Sequence, residues 1–222
     1  MEFSKGELFH IYNRGNNRDR VFYSRRNYLF FIEKINTYIS PYADIIACCL
    51  IPNHFHLMVS VNEVELMPTS GLNQTNNNDL TIVNNKAGVK KRTLNQSIGI
   101  MLRSYTNAIQ KQEGRTGALF QEATKAVLLD DNISYIPSYF PSAFGTVITA
   151  YQDDQKSYAE NCFNYIHKNP VSSGMVKKAE DWEFSSYRDY MGLRNGKLIN
   201  REKGNVFFDA LLSTRSLSLD YP

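Results

Sequence analysis

Cysteine is scarce in this chain of 222 residues, with Cys48, Cys49 and Cys162 its three copies. The number is odd, two are adjacent, and no C-x-x-C pair occurs. That excludes a disulfide framework and a cysteine-ligated metal knuckle. Buried, reduced thiols in a cytosolic protein fit better. Long apolar runs are missing too, so nothing resembles the roughly 20 apolar residues that span a bilayer. The opening stretch, MEFSKGELFHIYNRGNNRDR, is too polar for a signal peptide. The expectation is a cytoplasmic protein with no membrane partner. A charge of one sign is also lacking: 25 basic residues stand against 22 acidic ones, a net +3. This is too little to require a polyanion, so local clusters matter more. No internal repeat is present.

What is there suits one globular unit over 1–222, with 42% hydrophobic and 21% charged residues. ELFHIYNRG (7–15) has strand composition and ends at Gly15. From Ser24 to Tyr38, Tyr28, Phe31, Ile32 and Ile35 recur at helical spacing behind a capping serine. ADIIACCL and HFHLMVSV read as two strands, with IPN a bend between them. TLNQSIGIMLRSYTNAIQKQ (93–112) is a strong helix, with Thr93 to start it and Gly114 to end it. KAVLL (125–129) suggests another strand, and SYAENCFNYIHKNP (157–170) a short helix stopped by Pro170. Residues 66–89 are rich in Asn, Thr and Gly and read as an insertion. The stretch 131–155 fits no period well and reads as a second one, and the tail after 180 carries weak signals. The pattern predicts an α+β, ferredoxin-like (RRM-like) antiparallel sheet with helices packed on one face, plus insertions.

Residues 50–61, LIPNHFHLMVSV, carry two histidines one residue apart in an apolar strand. Residues two apart on a strand share a face, and their Cα atoms lie roughly 6.5–7 Å apart. His54 and His56 therefore point one way, while Phe55, Leu57 and Val59 point the other. Two unrelated polar residues on a half-exposed strand would give the same pattern. Burying two imidazoles without partners, however, costs about 1–3 kcal/mol each. A shared divalent ion satisfies both. Two nitrogen ligands do not close a structural zinc site. An open site completed by oxygen ligands, water and phosphate suits Mg²⁺ or Mn²⁺. If that ion polarises a phosphate, Tyr105 in the helix 93–112 is a candidate to attack it. Taken alone, Tyr105 reads as a core residue.

IPNHFHLMVS, LRSYTNAIQKQEGRTGALFQ and NYIHKNPVSSGMVKKAEDWEFSSYRDYMG occur in that order, behind HIYNRGNNRDRVF. Together they resemble the single-tyrosine HUH transposases, and within them the REP-associated tyrosine transposases. The resemblance implies a nuclease and strand transferase acting on single-stranded, hairpin-containing DNA. It implies His54 and His56 on the metal and Tyr105 as the nucleophile, with a 5′-phosphotyrosine intermediate. It also implies a third ligand, an amide or acid, from the tyrosine's own helix, and Gln110 occupies the matching position. Gln110 lies about 140° around the helix from Tyr105, so joint reach is not obvious. EAT (122–124) and the two long stretches depart from the family pattern.

Single strands are held by cations on phosphates and aromatics on bases. The candidates are Arg14, Arg18, Arg20, Lys90, Lys91, Arg92, Arg103 and Arg115, with Tyr12, Tyr135, Tyr139 and Phe140 to stack. His10 and His167 read as structural. A homodimer that shares the tyrosine helix is compatible with the sequence. The competing readings are an inactive single-strand binding protein derived from such an enzyme, and a metal-dependent hydrolase.

Overall fold

The computed structural model describes residues 2–67, 91–129, 138–142, 145–149 and 157–217. β1 (Leu8–Arg14) leads through a short 3₁₀ turn (Asn16–Arg18) into α1 (Arg25–Tyr38). β2 (Ala43–Ile51) and β3 (His54–Val61) form a hairpin around Pro52 and Asn53. A two-residue ladder, β4 (Glu65–Leu66) with β5 (Arg92–Thr93), brackets the residues between 66 and 92. The expected insertion 66–89 otherwise lies outside the described residues. α2 (Leu94–Glu113) and β6 (Lys125–Leu128) follow. β7 (Ser138–Ser142) and β8 (Gly145–Thr149) pair as a hairpin within the stretch expected as the second insertion. Then come α3 (Tyr158–Ser172), α4 (Tyr187–Tyr190) and α5 (Arg201–Leu217).

Among the described residues the main sheet has the order β2-β3-β1-β6, all antiparallel. α1 joins β1 to β2 and α2 joins β3 to β6, so the layout is the ferredoxin-like one that the pattern predicts. Strand alternation sorts the residues. Phe9, Ile11, Phe55, Leu57 and Val59 face one way and pack against Phe31, Ile35, Ile98, Met101 and Tyr105 of α1 and α2. Ile46, Ala47, Cys49, Ile51 and Met58 face the other way and meet Cys162, Phe163 and Ile166 of α3, with Tyr187 and Phe208 beyond them. α1 and α2 thus cover one face as expected. The second helical layer over the histidine face was not legible in the sequence.

Local chemistry sets the helix ends. Thr93 Oγ1 accepts from Gln96 N–H at 3.1 Å, and the Gln96 side chain accepts from Thr93 N–H at 3.0 Å. Gly114, at φ +61°, closes α2 in the left-handed conformation. α3 runs two residues past Pro170, the stop that the sequence predicts. A proline in the last turn removes one bond of the ladder there, and Ser173 N–H still reaches Asn169 O at 2.9 Å. All three thiols are buried and free.

Candidate active site

His54 and His56 open the central strand β3 and point toward α3. His56 is 0% exposed and His54 8%. Three neighbours meet them. His10, across on β1, brings its Nε2 to 2.9 Å from His56 Nδ1. Tyr165 on α3 brings its hydroxyl to 3.4 Å from His56 Nε2. Asn169, one turn further, has its Oδ1 3.3 Å from His54 Nε2 and its Nδ2 3.5 Å from His56 Nε2. Tyr165 and Asn169 are four residues apart, hence on one helical face. Asn169 Nδ2 donates to the Tyr165 hydroxyl at 2.9 Å. The phenol is half-buried, while Asn169 is buried.

Burial keeps the imidazoles neutral. It lowers His54 to about 4, where the Asn169 contact opposes the shift and the Arg14 charge adds to it. Burial also lowers His56 well below its usual value, helped by His54 and His10. Neutral imidazole is the form that ligates metals. His54 Nδ1 lies 2.7 Å from Asn53 Oδ1. Amide oxygens only accept and a neutral imidazole has one N–H, which goes to the shorter contact, so Nδ1 carries the proton and Nε2 is bare. Asn53 Nδ2 points to Arg18 O, in keeping with that amide orientation. The bare Nε2 of His54 then faces the Asn169 carbonyl oxygen at 3.3 Å, lone pair to lone pair. A cation between them turns that repulsion into two bonds. The donor set His54 Nε2, His56 Nε2 and Asn169 Oδ1 therefore fits a divalent ion with open positions. Among the described residues no group of three or more His, Cys, Asp or Glu is placed to hold a metal. The Asn169 amide is thus the third protein ligand that such a site would draw on.

Tyr105 is not part of this cluster. It is 0% exposed on the opposite side of the sheet, wedged among Phe22, Phe30, Phe31 and Phe120. Its hydroxyl donates to Val21 O at 2.8 Å. Burial raises its pKa well above the normal phenol range. The sheet itself stands between this phenol and the two imidazoles, so the expected facing of Tyr105 and the histidine pair is not met. Gln110 shares that displacement. Its Nε2 donates to Gly117 O at 2.5 Å within the turn that follows α2. The helix bearing both packs on α1, not on the histidine face.

The expected basic set divides. Arg14 sits opposite His54 in the β1–β3 register and contributes to its electrostatics. Arg18 and Arg20 are exposed on the loop beside it, which Gly15 N–H ties to Asn53 O at 2.7 Å. A Cβ at Gly15 would stand 1.9 Å from Asp19 O, so only glycine lets this loop fold back so tightly. Arg115 borders the same loop but pairs with Asp19 at 2.8 Å and donates to the Tyr23 hydroxyl. Lys91 and Arg92 lie at the other end of the sheet, next to the β4–β5 ladder. Arg103 is exposed on α2, on the far side. Lys90 and Tyr135 lie outside the described residues. Tyr139 and Phe140 belong to β7, opposite Ile148 and Val147. Tyr12 is buried beside His10 and His56. His167, by contrast, bonds Ser186 Oγ at 2.7 Å and has no part in the cluster.

Sequence reasoning missed Tyr165 and Asn169. The signal was in NYIHKNP, where Tyr-x-x-x-Asn puts a phenol and an amide one helical turn apart. No helix of the described residues is long and apolar enough to cross a membrane. No protein-family model matches the chain, and no curated protein matches it. A solved structure described as a REP-associated tyrosine transposase bound to a REP hairpin is similar to it at 15% identity and a TM-score of 0.47, over 86% of this chain and 83% of that one.

Proposed function

We propose that the chain is a single-stranded DNA endonuclease and strand transferase whose nucleophile is Tyr165, not Tyr105. One observation carries the reading: a half-buried phenol lies 3.4 Å from His56 Nε2, with the His54 imidazole and an amide oxygen in the same cluster. The three ordered sequence blocks support it independently, and NYIHKNP is part of the third. His54, His56 and Asn169 would hold Mg²⁺ or Mn²⁺, which when bound supplies Lewis-acid stabilisation of charge on a phosphate oxygen. Arg14, Arg18 and Arg20 would engage the phosphates on either side. The Tyr165 oxygen attacks phosphorus as the P–O3′ bond breaks. The phenol loses its proton, and the departing strand keeps a 3′-hydroxyl. The 5′-phosphotyrosine so formed retains the bond energy, so another 3′-hydroxyl reverses the step and joins strands.

The test is a covalent shift on a denaturing gel with hairpin-containing single strands and Mn²⁺. Wild type and Tyr105→Phe should form the adduct, and Tyr165→Phe should not while still binding DNA. An adduct from Tyr165→Phe would remove the assignment. Binding by wild type with no adduct under any divalent ion would favour a single-strand binding protein. The complete enclosure of His56 is the observation that speaks for that second reading.

A further inference from the structure

His10 is a third imidazole that the mechanism above does not use. It is 0% exposed, on the strand next to the pair, and its ring stacks on that of His56 at 5.1 Å. Its Nε2 meets His56 Nδ1 at 2.9 Å, and its own Nδ1 is buried without a hydrogen-bond partner among the described residues. An apolar residue would fill this space without orphaning a polar atom, which costs about 1–3 kcal/mol. The contact to His56 is what offsets it.

Only one proton lies between the two rings, and its position decides what His56 presents to α3. If His10 Nε2 donates, His56 must carry its proton on Nε2. That N–H would face the Asn169 amide nitrogen, a donor, 3.5 Å away, and would have to share the Tyr165 hydroxyl, 3.4 Å away, which already accepts from that amide. Asn169 is held in that orientation by its bond to the Tyr165 hydroxyl and by the Ser173 hydroxyl, 3.4 Å from its Oδ1. If instead His56 Nδ1–H donates to His10, the bare Nε2 of His56 accepts from that amide. We infer that His10 is a positioning residue: its Nε2 accepts the Nδ1–H of His56 and holds the Nε2 lone pair of His56 toward α3. This rests on the reading above that His54, His56 and Asn169 take a divalent cation. It adds a partner that fixes one ligand's tautomer and ring angle. Such partners are commonly worth 10–100-fold in metal affinity.

The experiment uses the full chain and Mn²⁺ alone. Ring-nitrogen NMR of the metal-free wild type should find His56 protonated on Nδ1 and bare on Nε2. Calorimetric titration should give a Kd for Mn²⁺ that rises about 10–100-fold in His10→Phe. Affinity should recover in part in His10→Gln, whose amide oxygen again accepts, and binding should be lost in His54→Ala. A folded His10→Phe that binds Mn²⁺ like wild type, beside a non-binding His54→Ala, would overturn the role of His10 and leave the cation site standing. A His56 proton found on Nε2 in the wild type would overturn it as well, whether or not the variants fold. A wild type that binds no Mn²⁺ but shows the Nδ1–H form would remove the cation reading, and the pairing of the two imidazoles would stand.

Discussion

Two tyrosines show how one side chain takes two roles. Tyr105 gives its hydroxyl to Val21 O inside an aromatic cluster, whereas the Tyr165 hydroxyl accepts from Asn169 Nδ2 and lies 3.4 Å from His56 Nε2. Tyr105→Phe should therefore behave as a stability mutant. It leaves a buried carbonyl without its donor, a loss of about 1–3 kcal/mol in denaturant unfolding, with adduct formation retained. His167 offers a separate residue-level test. Burial lowers its pKa from 6.5 to about 3, so the unfolded chain takes the proton first. Its contribution is present above about pH 6.5 and is lost as the pH falls toward 3. Replacing it by Gln should make stability fall less steeply between pH 6 and 4, by about 1.4 kcal/mol per pH unit. An unchanged slope would mean that the ring is already charged in the folded protein.

At the scale of elements, the irregular segment before α4 does the work of a strand. Leu50 N–H donates to Phe184 O at 3.0 Å and Ser186 N–H to Cys48 O at 2.8 Å, so the outer edge of β2 is paired rather than open. Asp189 holds this segment, accepting from Arg194 and from Gly196 N–H, while Arg194 also donates to the carbonyls of Glu183 and Ser185. Asp189→Ala should cost about 1–3 kcal/mol and raise amide exchange selectively along Cys48–Leu50. Uniform exchange would deny the segment that role. This edge also shows what was legible. Strands with period-two alternation and α2, with its threonine and glycine ends, could be read because local pattern determines them. The pairing of 184–186 depends on contacts from residues more than 130 positions away in the chain, and no local period reports that. α5 was missed for the same reason. The histidine pair was legible from spacing alone. Its helical partners were not, because α1, α2 and α3 all carry tyrosines and only the layer that each helix joins separates them.

For the whole molecule, the sheet acts as a partition: an aromatic core under α1 and α2 on one side, a polar cluster under α3 on the other. With net charge only +3, the proposed binding to single strands would have to come from local cations. If Arg14, Arg18 and Arg20 each meet a phosphate, affinity should fall roughly 10–20-fold between 50 and 200 mM salt. Arg20→Ala should lower the logarithmic slope by about 0.7, whereas Arg103→Ala should leave it unchanged. Equal effects from the two would spread the contact surface over both sides.

The divided origin of the cluster has a mechanical consequence. His54 and His56 belong to the sheet, and Asn169 to the layer laid over it. An ion gripped from both would work as a clasp, welding one layer to the other. Mn²⁺ at a hundred times its Kd should then add about 2.7 kcal/mol to the unfolding free energy, and the gain should be strongest where α3 meets β3.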